Sequence, residues 1–222
     1  PLTYVWLRLT IAAAAMWAFL GWTGQRLALP RQMWGAILLL ALLNNALPFA
    51  LFGWGQTHIA SGLASILNAM TPIWGVVVAH LFTSDERMSR RKVAGVLLGF
   101  GGVAIMIGPS LFATIGSNAL AQLACITASL CYALAAVWAR RFKPLGLSPL
   151  SVTTGQLTAG AAMMLPVMLI VDRPWTQAFP PLEAWGAIVA LALLCTAFGY
   201  VLYFRLIDSA GATNALLVTL LV

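Results

Sequence analysis

The 222 residues are 62% hydrophobic and 8% charged, with a mean hydropathy of +0.95 and a formal charge of +7. A soluble chain carries roughly a quarter charged residues, and a core of this size cannot hide so much apolar surface, so a single soluble domain is excluded. Lipid must be the solvent for most of the chain.

A helix rises about 1.5 Å per residue through about 30 Å of hydrocarbon, so a span needs about 20 apolar residues. The apolar runs predict seven complete spans, over residues 3–21, 33–53, 60–82, 93–109, 119–139, 149–170 and 184–204, and an eighth beginning near Ser209. Long unbroken runs without period-two alternation exclude strands, so the expected fold class is an all-α polytopic transmembrane bundle. The first run lacks a basic leader and a small-residue cleavage site, so a cleavable signal peptide is not expected.

Ten of the twelve basic residues fall in the odd-numbered loops: Arg26 and Arg31; Arg87, Arg90, Arg91 and Lys92; Arg140, Arg141 and Lys143; Arg205. The even loops hold Arg173 alone, beside Asp172. This bias predicts cytoplasmic odd loops, an outside start, and residence in the cell (cytoplasmic) membrane; it also argues against nucleic acid as the partner of the positive charge. Trp22, Trp34, Trp54, Trp138, Trp175 and Trp185 fall near span ends, where interfacial anchors belong. Cys125, Cys131 and Cys195 lie within spans and away from any CxxC spacing, which reads as packing; no disulfide, metal site or cofactor is expected.

The chain also repeats itself. At an offset of 148, PLTYVWLRLTIAAAAM (1–16) aligns with PLSVTTGQLTAGAAMM (149–164), with Arg8 facing Gln156; at an offset of 151, FALF (49–52) aligns with YVLY (200–203). Five spans separate the two starts, and an odd number inverts the second copy. The expected architecture is therefore an inverted-topology repeat, 1–117 and 118–222, as in secondary transporters. Extending the register predicts a ten-span parent that adds a span before residue 1, the end of the ninth and the tenth, with Pro as the next residue after Val222.

Few polar residues lie in the spans. Asp85, Glu86, Asp172, Glu183 and Asp208 all sit in loops or at span ends, so no intramembrane carboxylate offers a coupling site. Arg8 lies within the first span, and should face a cavity or snorkel to the headgroups. Pro48 and Pro72 fall in mid-span, and each leaves the carbonyl four residues earlier, of Asn44 and Asn68, without its helical donor. Asn45 stands beside the first, and Gly199 takes the place of Pro48 in the second copy. Broken helices carrying amides line substrate cavities in transporters; the alternative is a packing kink whose Asn bonds a neighbouring helix. The candidate substrate contacts are thus Arg8, Asn44, Asn45, Asn68, Tyr132, Gln156, Tyr200 and Asn214, with helix breaks at Pro48, Pro72 and Gly199. Tyr203 is a weaker aromatic candidate. Gln56 and His58 read as solvated outer-loop residues, His80 as a headgroup contact, Gly95, Gly99 and Gly102 as a packing face, and Glu86 with Arg87, Arg90 and Arg91 as a surface ion cluster.

With those residues in view, the sequence resembles the EamA family of the drug/metabolite transporter superfamily. The resemblance is carried by residues 59–109, with Pro72 in mid-helix, Glu86 after the helix end, then Gly95, Gly99, Gly101 and Gly102, and by LRLTIAAA around Arg8. It implies ten helices in two inverted halves around a central cavity, and export of small metabolites such as amino acids or amines by alternating access. The expected partners are membrane lipid and a small-molecule substrate, with a homodimer left open. A non-transporting scaffold or sensor on the same fold is the alternative. An intramembrane enzyme is not expected, because no HExxH or carboxylate cluster is present.

Overall fold

The computed structural model describes residues 1–83, 88–107, 118–176 and 180–218. Among the described residues there is no strand. The helices are α1 (Leu2–Trp22), α2 (Trp34–Ala41), α3 (Leu47–Gly55), α4 (Ser61–Asn68), α5 (Thr71–Phe82), α6 (Arg90–Ile107), α7 (Ala119–Ala139), α8 (Pro149–Val171), α9 (Leu182–Ala190), α10 (Gly199–Ala210) and α11 (Ala212–Leu216). Two π-turns, Leu42–Ala46 and Leu191–Phe198, join α2 to α3 and α9 to α10. Among the described residues, six helical segments are long and apolar enough to cross a membrane: Leu2–Trp22, Arg31–Gly55, Ser61–Phe82, Ala119–Phe142, Pro149–Val171 and Leu182–Ala210. The chain is a multi-pass membrane protein built as a helical bundle.

The expected span over 93–109 forms as α6 but is the least apolar of the set. Its 18 residues begin Arg90, Arg91, Lys92, so three cations share the first turn. Gly108 and Pro109 lie outside the described residues, as do Glu86 and Arg87 of the expected ion cluster.

The chain divides into two compact units, each drawn from both halves of the sequence: residues 1–46 with 141–205, and residues 47–140 with 206–222. In the first, α1 and α8 are antiparallel, since Thr3 meets Asp172 while Trp17 Nε1 donates to Thr158 Oγ1 at 3.0 Å. Both α2 and the second π-turn pack onto this pair. Val5, Leu9, Ile37, Leu40 and Leu157 are its buried apolar centre. The helix starts are capped: Ser148 Oγ accepts the Ser151 amide of α8, and Asp172, just past the end of α8, accepts the Thr3 amide at 2.7 Å and its hydroxyl at 2.9 Å. A carboxylate at a helix N-terminus also opposes the macrodipole favourably. Burial raises the Asp172 pKa, but the bonds from the Thr3 amide and hydroxyl favour the charged form, and the carboxyl is held below its usual range.

In the second unit α7 packs on α3, α4 and α5. Its buried face is Ala121, Ala124, Cys125, Ala128, Ser129 and Cys131. Lipid tails are as apolar as side chains, so such small residues hold helices together by close van der Waals approach instead of by exclusion of water. The α3–α7 contact is tight at Gly55, where a Cβ would stand 2.7 Å from Cys125 Sγ and 3.3 Å from the Ala121 carbonyl oxygen. Ile59, Leu63 and Ala64 close the same cluster, with Phe52 and Trp54 against it.

Candidate functional site: two cross-braced helix breaks

Proline has no amide hydrogen, so Pro48 cannot serve the carbonyl of Asn44. The helix widens into the π-turn Leu42–Ala46 immediately before it. The Tyr200 hydroxyl donates to that Asn44 carbonyl at 2.8 Å. The Asn44 side chain donates from Nδ2 to Gln156 Oε1 at 3.1 Å, and Asn45 Nδ2 donates to the Gln156 carbonyl at 3.4 Å. The close approach depends on Gly160, where a Cβ would lie 3.3 Å from Asn45 Cβ and 3.6 Å from its Nδ2. Asn45 and Gln156 are 0% exposed and Asn44 3%.

The second π-turn is built on the same plan and runs directly into Gly199. Thr196 donates its hydroxyl to the Leu191 carbonyl at 2.9 Å and accepts Arg8 Nε–H at 2.7 Å. Thr196 is buried and Arg8 half-buried. The offset of 148 carries Arg8 to Gln156, and that of 151 carries Asn45 to Thr196. A polar side chain of α1 thus holds the π-turn before α10, and one of α8 holds the π-turn before α3.

The bracing leaves some polar atoms unmet. Asn45 Oδ1 and Gln156 Nε2, an acceptor and a donor, are buried without a hydrogen-bond partner, as are the hydroxyls of Thr10 and Thr153. Each such atom costs about 1–3 kcal/mol relative to a satisfied one. Sites that bear this cost are commonly those that bind or move. A cleft of about 520 Å³ in the same unit reaches the second π-turn; Leu193, Ala197 and Phe198 help to line it, with Gln25 and Arg205 among its polar members.

The other candidates lie in the second unit. Pro72 is buried in the first turn of α5, and the span is broken between Asn68 and Thr71. Thr71 Oγ1 donates to the Asn68 carbonyl at 2.6 Å, with Asn68 Oδ1 at 3.4 Å, so the carbonyl that Pro72 cannot serve is met locally. Tyr132 stacks on Phe52 at 6.1 Å between centroids. Asn214 is exposed and donates to the Ala210 carbonyl across Gly211. Gln56 and His58 are exposed in a turn, and His80, also exposed, accepts the Met88 amide. The three cysteines are free, and among the described residues no group of His, Cys, Asp or Glu is placed to hold a metal.

Thr196, Thr71 and Gly160 were not singled out by sequence reasoning. The repeat register itself points to Thr196, the only hydroxyl in the apolar run LALLCTAF (191–198), as the counterpart of Asn45. Nothing local marks Gly160, whose role depends on what faces it.

The profile of the EamA-like transporter family matches residues 1–108 and 119–222. The chain belongs to the EamA-like transporter family. Among its EamA-like relatives, the "Uncharacterized transporter YyaM" of Bacillus subtilis is 28% identical over 167 residues, 74% of this chain and 54% of that protein. "Uncharacterized transporter YoaV" of the same organism is 24% identical over 97% of this chain and 73% of its own length. The "Probable terminal-alkyne amino-acid exporter" of Streptantibioticus cattleyicolor is 29% identical over 87% of this chain and 63% of its own length. This EamA-like chain therefore spans between about half and three quarters of the length of these relatives. A crystal structure superposes with a TM-score of 0.70 at 17% identity, covering 100% of this chain and 84% of that one, which shows the shared fold. The family and these relatives are transporters, not enzymes.

Proposed function

We propose that the protein is a cytoplasmic-membrane permease that exports small zwitterionic or amphipathic metabolites, amino acids and related amines foremost, by alternating access. The halves 1–117 and 118–222 are inverted repeats in this reading, and the odd-numbered loops face the cytoplasm. The observation that carries it is the cross-bracing of the two π-turns by Arg8 on Thr196 and by Gln156 on Asn44 and Asn45. Broken helices whose polar atoms are held by the opposite repeat are what a rocking pair of halves needs at its centre.

Arg8 is the group for a substrate carboxylate, because a guanidinium presents a fork of donors to two oxygens. The unmet acceptor on Asn45 and donor on Gln156 offer a match for a group that both donates and accepts. Asn68, Tyr132 and Asn214 complete the candidate contacts. The amino-acid class is supported by the relative named as an amino-acid exporter.

The test is expression of the whole reading frame in a bacterial host, with metabolites in the medium compared by mass spectrometry against an Asn68→Leu control. Enrichment of one compound class, lost in the control at equal membrane abundance, supports export. An unchanged medium with abundant inserted protein would overturn it.

A further inference from the structure

In each π-turn one backbone carbonyl takes a side-chain hydroxyl, and the two hydroxyls come from different places. The Leu191 carbonyl takes the hydroxyl of Thr196 from within its own turn. The Asn44 carbonyl takes the hydroxyl of Tyr200, from a helix 156 residues further along the chain. Tyr200 is the second residue of α10, so its position follows directly from the geometry of the π-turn that ends at Phe198. Its phenol is a rigid lever: two side-chain torsions separate the α10 backbone from the Asn44 carbonyl.

We propose that Tyr200 is a coupling residue that makes the two helix breaks move as one. The path is continuous through hydrogen bonds: Arg8 to Thr196 in the second π-turn, one turn of chain to Tyr200, Tyr200 to the Asn44 carbonyl in the first π-turn, and Asn44 to Gln156 on α8. A change in the second turn alters the direction of α10 at its first residues and pulls on the first turn through the phenol. The element with two arrangements is the second turn, which carries no proline and can pass to an α-turn by shifting one hydrogen-bond register, a register that Pro48 closes at the Asn44 carbonyl. A ligand that draws Arg8 away from Thr196 is then felt at Asn44. Tyr200, a candidate substrate contact from the sequence, donates its hydroxyl to the backbone of Asn44, and the coupling role rests on that bond. The aromatic ring is flanked by Tyr203 and Phe204 at 6.4 and 6.3 Å, which fixes its position.

This inference rests on the transport reading for its consequence, and on the Tyr200–Asn44 hydrogen bond for its mechanism. The two are tested separately on the full-length protein in nanodiscs and proteoliposomes. In hydrogen exchange, Tyr200→Phe should speed exchange of amides in both turns, 42–46 and 191–198, about three- to tenfold, the range that one lost hydrogen bond gives. In a Pro48→Ala background an amide hydrogen returns to the Asn44 carbonyl, and Tyr200→Phe should then leave the first turn unchanged. In transport, Tyr200→Phe should lower the maximal rate with KM unchanged, because the residue does not touch substrate. Exchange that rises in the second turn alone, or that rises in the Pro48→Ala background as well, would overturn the coupling. A raised KM at unchanged maximal rate would return Tyr200 to the substrate site and overturn it too. If the wild-type protein moves nothing, the transport reading fails while the exchange result still decides whether the two turns are tied.

Discussion

Breaking one side of the Gln156 clasp should cost more than removing both sides. Asn44→Leu deletes the donor of the 3.1 Å bond and strands Gln156 Oε1 in a site with no exposure, beside an Nε2 that already lacks a partner. A newly stranded buried acceptor costs about 1–3 kcal/mol. Gln156→Met strands Asn44 Nδ2 but also removes the unmet Nε2, so its net cost should be smaller, about 0–2 kcal/mol. The double variant Asn44→Leu/Gln156→Met leaves neither group stranded and should fall well short of the sum. Coupling energies between hydrogen-bonded side chains in membrane bundles average about 0.6 and reach about 1.7 kcal/mol. Full burial on both sides puts this pair in the upper half, at about 1–1.7 kcal/mol. The assay is unfolding of the full-length protein in mixed micelles with increasing sodium dodecyl sulfate, for wild type, both singles and the double. Additivity within about 0.3–0.5 kcal/mol would show that the clasp is not an energetic unit and would refute the reasoning.

Gly55→Ala should destabilise the second unit by about 1–3 kcal/mol through overpacking, since its Cβ would meet Cys125 Sγ at 2.7 Å; Cys125→Ala should recover most of the loss in the same unfolding assay. Gly160→Ala should weaken the Asn45–Gln156 contact and lower thermal stability, and Gly21→Ala, which meets nothing within 4 Å, should not. The Asp172 carboxylate has a folded pKa below its ordinary 3.8, so its contribution is present above that value and lost as pH falls through the lower, folded value; Asp172→Asn should lower the melting temperature at neutral pH and remove this part of the acid sensitivity.

The spans were legible because the bilayer imposes a length on any apolar run, and the structure forms helices over the predicted segments. Pro48 and Pro72 were legible as the places where a carbonyl loses its donor, because that follows from covalent chemistry alone. What met those carbonyls was not. Thr71 lies close in sequence to Asn68, but Tyr200 lies 156 residues from Asn44, and only the packing of α10 decides that its hydroxyl arrives there. The π-turn at 191–198 carries no proline, and Gly199 alone marks its end. Gly55 and Gly160 were equally silent, since a glycine in an apolar helix declares its purpose through the atom that faces it.

The most direct measurement of the central claim is counterflow of a panel of labelled amino acids and amines by the purified full-length protein in proteoliposomes, with Arg8→Gln as the variant. Uptake of at least one carboxylate-bearing member should be saturable, and should fall about tenfold or more when Arg8 loses its charge-assisted contact. Equal flux through wild type and Arg8→Gln would place substrate recognition elsewhere. No flux of any member, with the protein folded and inserted, would rule out the permease and leave a scaffold on a transporter fold.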